Sequence, residues 1–303
     1  MDKHLDSPRW SVKHVSAYAL ADVVNNAGSN IPEADARTLW PALEKALGGK
    51  TWDGKEKVLE AFVNLMLHSN LYKCDQSIAS QMRKILLREI KRNNASYRSH
   101  SFKLAAKFVA AEEDTDVFEE VLDIVCPVIE ELGTDSEAMD IDSSGRDTSS
   151  ATLKDTTLTH AISLILRASP NQVKNLDDWQ DRLSRCLGLV RQCYTPENRS
   201  LGILLAIYEG LGHIFQRMPA IVDKSPESLE ITLMAYARIA FDVTDQVEQV
   251  RLKAAEAVVD LSKVIEGANR IKVEFVDEVK KRKGEDRSTA VQQMLLRALK
   301  TLE

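Results

Sequence analysis

The chain has 303 residues, with 40 basic and 46 acidic side chains and a net charge of -6. That balance argues against a general nucleic-acid binder, because neutralising phosphates requires a concentrated cationic surface. Twelve glycines and eight prolines make about 7% against a usual figure of about 12%, so helices should be long, and β-branched and aromatic residues never cluster into the alternating strands of an all-β or doubly wound fold.

In chain order, a first helix is expected over residues 8–27. Six helical pairs follow: 34–47 with 54–67, 77–92 with 97–111, 116–132 with 153–168, 177–194 with 197–217, 227–242 with 246–265, and 269–283 with 287–302. The most informative stretch is 245–265. There Val247, Val250, Ala254, Ala257, Leu261 and Val264 recur at steps of three and four, which makes one apolar helical face. Asp245 followed by Glu248 resembles a capping box, and the two alanines keep the face thin enough for close approach of another helix. Ser7, Thr195 and Ser225 each precede a proline, the pattern of a capping hydroxyl before a proline at the first helical position. The 197–217 copy carries its apolar face on Leu201, Leu204, Tyr208, Leu211 and Phe215, and its glycines at 202, 210 and 212 mark it as the least regular. Residues 133–150 hold five acids, five serines and no aromatic. They bury too little to offset ordering entropy and are expected to form a disordered acidic loop inside one repeat.

Residues 12–23, VKHVSAYALADV, lie on 250–261, VRLKAAEAVVDL, 238 residues later. Looser copies place Lys55, Ala61, Phe62 and Leu65, and Arg98, Ser101, Leu104 and Ala105, in the same roles. The cations Lys13, Lys55 and Arg98 are then 42 and 43 residues apart. A period of about 40 to 47 residues built from two helices marks HEAT and armadillo arrays. The expected fold class is all-α: a single HEAT/armadillo-type α-solenoid over 1–303 with about six to seven helical-hairpin repeats. The helix at 8–27 is of the closing type without a preceding partner and would leave apolar surface open at the end of a stack. It reads either as an unusual cap or, in the favoured reading, as one end of a longer solenoid.

Motifs of chemistry are few. Six histidines (His4, His14, His68, His100, His160, His213) form no HExxH, HxxxH or His-Glu pair, which gives no support to a metal site. Cys74, Cys126, Cys186 and Cys193 form no CxxC and are read as reduced thiols, with Cys186 and Cys193 assigned to packing. No GxxxxGK[ST], GxGxxG or GxSxG occurs, and Gly48-Gly49-Lys50-Thr51 reads as a helix-ending turn rather than a phosphate loop. Glu112 and Glu113, like Glu130 and Glu131, are neighbours expected to point apart into solvent. Arg83, Lys84, Arg88, Lys91 and Arg92, and the run 280–283, could form positive faces but read better as solvated helix ends. Ser143, Ser144, Thr148, Ser149 and Ser150 would be accessible to a kinase. No apolar run approaches the roughly 18 to 20 residues of a membrane span, and the start is charged where a signal peptide would be apolar. The expectation is a soluble intracellular protein with no catalytic, cofactor-binding or metal residue, no cofactor, no small-molecule ligand, no nucleic acid and no membrane insertion. Partner-binding residues are unassigned.

The segment 38–65, TLWPALEKALGGKTWDGKEKVLEAFVNL, is more specific than a generic repeat. Leu39-Trp40-Pro41 followed by Gly49-Lys50-Thr51-Trp52-Asp53-Gly54-Lys55-Glu56 resembles the C-terminal region of the eukaryotic HEAT-repeat proteasome adaptor and scaffold family, where a similar turn joins the two helices of one repeat. Asp53 is placed to cap the second helix with Glu56 in support, and Trp52 to plug the gap between layers. The resemblance implies a C-terminal part of a longer solenoid. It also implies partners among proteasome core-particle and regulatory-particle subunits, a bridging or stabilising role with assembly quality control, and a cytoplasmic and nuclear location. Two readings of different class remain. A non-enzymatic scaffold uses the surface of stacked helices, whereas an enzyme on such an array would need clustered His, Glu or Cys, which the sequence lacks. Among binding proteins the alternative is a transport-receptor or phosphatase-scaffold type gripping a basic peptide with an acidic inner surface.

Overall fold

A computed structural model of the chain describes residues 2–5, 7–27, 31–134, 148–195, 200–221 and 225–302. In order the elements are α1 (Asp2–Leu5), α2 (Trp10–Asn26), α3 (Glu33–Ala46), α4 (Lys55–His68), α5 (Leu71–Cys74), α6 (Gln76–Ile90), α7 (Ala95–Ala111), α8 (Phe118–Thr134), α9 (Thr148–Ala168), α10 (Leu176–Cys193), α11 (Leu201–Arg217), α12 (Glu227–Phe241), α13 (Glu248–Val264), α14 (Asn269–Glu285) and α15 (Thr289–Leu302). The helix pairs read from periodicity are all present. Two short helices, α1 and α5, have no counterpart in that reading. Of the expected acidic loop, residues 133, 134 and 148–150 belong to α8 and α9, and 135–147 lie outside the described residues.

Contacts divide the chain into residues 1–112 and 113–303. In the first unit α2 packs on α4 and α4 on α7, while α3 packs on α4 and α6 on α7. In the second, α9, α11, α13 and α15 stack in sequence, and α8, α10, α12 and α14 form the other layer. Within each unit, then, successive closing helices meet one another, and α4 lies between α2 and α7. This explains why α4 buries Val58, Leu59, Ala61, Phe62, Val63, Leu65 and Met66, far more than one amphipathic stripe. Buried tyrosines tie the second unit together, since burial of their rings is compatible only with a bonded hydroxyl. Tyr208 donates to the Ile239 carbonyl (3.1 Å) and Tyr236 to that of Leu183 (2.8 Å).

The glycine-rich copy is a regular 17-residue helix, contrary to expectation, capped by Ser200, whose Oγ accepts from the Ile203 N–H. A Cβ on Gly210 would sit 2.6–3.2 Å from Leu166, so the missing side chain lets α11 close on α9 instead of loosening it. The cap assignments also change. The cap position of α13 is Val247, with no side-chain bond, because Gln246 N–H folds back on the Val243 carbonyl and the helix starts too late for Asp245. Pro8 lies before the cap residue Arg9, and Pro226 is itself the cap position of α12; Pro196 lies outside the described residues. Among the side chains that do cap are Asp75, Asn94, Asn175, Ser200 and Ser288.

Candidate protein-interaction surface

The turn 47–56 is built as a helix stop and restart. Leu47 N–H closes on the Leu43 carbonyl, Gly48 N–H on that of Lys45, and Gly49 takes φ +74°, so the Gly-Gly-Lys-Thr string ends α3 as read. Gly54, not Asp53, caps α4, at φ +100°. Glu56 reaches back to accept from the Gly54 N–H at 3.0 Å. Trp52 is half-buried and does not plug the two layers. Its ring stacks on His14 of α2 (4.0 Å, 13°) and meets Tyr18 edge-on (5.8 Å). Truncating Trp52 to alanine should therefore cost about 1–2 kcal/mol in a denaturant titration, below the 3–5 kcal/mol of a fully buried tryptophan.

Beneath this turn lies a buried charge cluster. Lys55 Nζ is 3.1 Å from Glu89 Oε2, and both side chains are fully buried. Glu89 also accepts from Arg88 Nε (2.8 Å), Arg92 Nε (2.6 Å) and Tyr97 Oη (2.9 Å). Burial alone would raise the Glu89 pKa, but Arg92, Lys55 and Tyr97 together hold it below the usual carboxylate range. Burial lowers Lys55 to about 8 against the pull of Glu89. Two members of the basic run, Arg88 near the end of α6 and Arg92 just past it, thus pair with an internal carboxylate, Arg88 while still half-exposed. In the second unit Arg251, 238 residues after Lys13, is likewise buried, against Asp286 (2.9 Å) and the Gln246 carbonyl (2.7 Å).

A candidate interaction surface spans α9, α11 and α13. A groove of about 280 Å³ is lined by Arg167, Glu209, His213, Gln216, Lys253 and Asp260 among others. Its charges alternate: Arg167 faces Glu209 (3.7 Å), Lys253 pairs with Glu256 (2.8 Å), and Asp260 takes Lys263 (2.7 Å) and Gln216 (2.8 Å). Burial, followed by the repulsion of Arg217 and Arg167, lowers His213 to about 4, so it stays neutral at physiological pH. Gln216 is shared with a second cleft of about 870 Å³ that also holds Arg217, Glu113, Asp114 and the loop 170–176. Arg217 bonds Glu113 at 2.6 Å. The loop is pinned by Arg182, which donates to the carbonyls of Ser169 (3.2 Å) and Asn171 (2.9 Å) and to Asp116 (2.8 Å). Gln172 sits at φ +54°, a conformation that side chains reach at a cost of about 1 kcal/mol, with its amide on Asp114 (3.2 Å).

This surface offers fixed, paired donors and acceptors over a long span and suits contact with another macromolecule. Among the described residues no group of three His, Cys, Asp or Glu could hold a metal ion, and no helix is long and apolar enough to cross a membrane. Cys186 and Cys193 are buried, and burial pushes both thiols up to about 12, as fits a packing role. Cys74 is exposed, and Cys126 donates to Glu130 at 3.3 Å. Glu112, expected in solvent, is buried and lies 3.6 Å from Lys73. Ser143 and Ser144 lie outside the described residues, and Thr148, Ser149 and Ser150 open α9.

The profile described as "ECM29, C-terminal ARM-like repeats" matches residues 66–301. The chain belongs to this family. Two curated ECM29 relatives agree with it. The proteasome component ecm29 of Schizosaccharomyces pombe is 28% identical over 121 residues, 39% of this chain and 7% of its own length. The human proteasome adapter and scaffold protein ECM29 is 28% identical over 141 residues, 45% of this chain and 8% of its own. The chain thus matches less than a tenth of the length of these ECM29 proteins. In fold it is similar to importin beta (TM-score 0.65, 13% identity, 99% of this chain and 36% of that one) and to a designed armadillo repeat protein (TM-score 0.55, 12% identity, 87% and 100%). The string at 38–65 lies wholly ahead of the profile match, which begins at residue 66. Sequence reasoning missed the α9/α11/α13 groove, because its members are spread over about a hundred positions and only repeat geometry brings them side by side.

Proposed function

We propose that this chain is a non-catalytic adaptor segment that binds the proteasome, bridges or stabilises the association of core and regulatory particles, and contributes to quality control of their assembly in cytoplasm and nucleus. Membership of the ECM29 family over residues 66–301 carries this reading, and the human relative's name describes that protein as a proteasome adapter and scaffold. The charge-alternating groove on α9, α11 and α13 supports it, because a surface of this kind selects a large partner through many dispersed polar contacts rather than by one deep site. The alternative, a receptor holding a basic peptide, would require a predominantly acidic groove. Arg167 and Lys253 stand among the carboxylates here, which disfavours it.

The test is capture on the purified, immobilised chain from a mixture of proteasome core particle, regulatory particle and basic cargo peptides. Proteasome particles are expected in the bound fraction, and Lys253→Glu with Glu209→Lys should weaken their retention at least threefold while leaving the melting temperature within about 2 °C, since exposed substitutions cost little stability. Retention of basic peptides alone would replace the proposal with the alternative.

A further inference from the structure

The three glycines of α11 do different things. A Cβ at Gly202 would lie 2.9 Å from Thr159 Oγ1, and one at Gly210 would lie 2.6–3.2 Å from Leu166. Both missing side chains therefore let α11 close on α9. Gly212 has no such reason. Outside its own helix and among the described residues, a Cβ there would meet only Asp260 Oδ2, at an ordinary 3.7 Å. Gly188 and Gly284 are equally unobstructed, but they stand on the exposed surface, whereas Gly212 is buried. A glycine inside a helix costs stability relative to alanine, and nothing in the packing around Gly212 offsets that cost.

The room that Gly212 leaves is the floor of the groove on α9, α11 and α13. Buried Tyr208 and Ala257 share that floor, and the rim is charged. Carboxylates outnumber cations in the lining, with Glu209, Glu256 and Asp260 against Arg167 and Lys253. These carboxylates are not equally satisfied. Glu256 holds Lys253 at 2.8 Å, and Asp260 accepts from Gln216 and Lys263. Glu209, 45% exposed, has the Arg167 guanidinium at 3.7 Å, which is beyond hydrogen-bond distance. Glu209 stands one turn before Gly212 on α11, and Asp260 Oδ2 is the first atom that a group lying over Gly212 would touch.

We infer that this groove seats a single arginine side chain of the bound partner, laid over Gly212 with its guanidinium between Glu209 and Asp260, a step that rests on the reading of the chain as a proteasome-binding segment. A guanidinium is flat enough to lie on a bare helix backbone, and its fork of donors can serve two carboxylates at once. Arg167 and Lys253 on the flanks repel a run of cations, so one arginine fits where a basic peptide does not. An arginine over a small apolar floor, ringed by polar groups, has the make-up of an interface anchor.

The test is retention of purified core and regulatory particles on the immobilised full chain. Gly212→Arg supplies the guanidinium from the chain itself. It should melt no lower than wild type, since arginine is a better helix former than glycine, and it should retain particles at least tenfold less. Glu209→Gln should lower retention at least threefold, and Arg167→Gln, which frees Glu209, should raise it at least twofold. Undiminished retention by a folded Gly212→Arg chain, with wild type binding, overturns the inference alone. So do glutamine variants that leave retention unchanged or reverse its order, the reversal being the mark of an acidic side chain in the groove. If Gly212→Arg unfolds, the glutamine pair decides. Absence of retention by wild type would end the proteasome-binding reading, and the arginine site with it.

Discussion

Replacing Glu89 by glutamine is expected to lower the stability of the first unit by about 3–5 kcal/mol, the range found when a buried ion pair loses one partner. The substitution keeps size and hydrogen-bonding capacity but strips the charge that Lys55, Arg88 and Arg92 all face. Lys55, with its side chain fully buried, would be left among like charges. Lys55→Met should be far milder, within about 1–2 kcal/mol, because Glu89 keeps Arg88, Arg92 and Tyr97 and an apolar side chain suits the site. Urea titrations of the two variants check this ordering, and equal losses would refute it. A pH signature goes with it. The folded-state pKa of Lys55 is about 8, below its ordinary 10.5, so the unfolded chain binds more protons between those values and stability gains from this residue as pH rises through about 8. Glu89 has the usual opposite sense: its folded pKa is depressed, so its contribution is present above the unfolded value near 4.5 and is lost as pH falls through the folded one. Denaturation midpoints followed from pH 7 to about 9, before unfolded tyrosines ionise, should rise in the wild type relative to Lys55→Met.

Gly54→Ala is the second large effect, expected to cost about 2–5 kcal/mol. At φ +100° a side chain is strained whatever surrounds it, and here the new Cβ would fall 1.6 Å from the Tyr18 hydroxyl. Removing that obstruction in a Tyr18→Ala background should recover the steric part and leave the backbone part. Additive losses in the double mutant, read by circular dichroism melting, would show that the two residues do not meet.

The helices themselves were legible because burial on two sides imposes apolar steps of three and four that no loop maintains. The cations Lys13, Lys55 and Arg251 aligned across repeats, and for Lys55 and Arg251 the reason is internal pairing. Their counter-ions were not legible: Glu89 and Asp286 lie 34 and 35 positions further on and look like any helix-surface acid. Trp52 was expected to plug the gap between layers but stacks on His14 instead; that partner belongs to another repeat, and only stacking geometry reveals the pair. Caps failed where a one- to three-residue shift of the helix start moved the backbone away from the expected side chain, as at Asp245. The groove on α9, α11 and α13 carries no motif at all, since its specificity lies in which charges become neighbours across three repeats.

The cysteines have a chemical consequence. The thiolate is the reactive form of sulfur, and burial holds Cys186 and Cys193 almost wholly protonated at neutral pH, while Cys74 stands in solvent. An electrophile or peroxide reaching this molecule would therefore leave its mark at the surface of α5, and the interior of the second unit would keep its sulfur unmodified for as long as the helices stay closed over it.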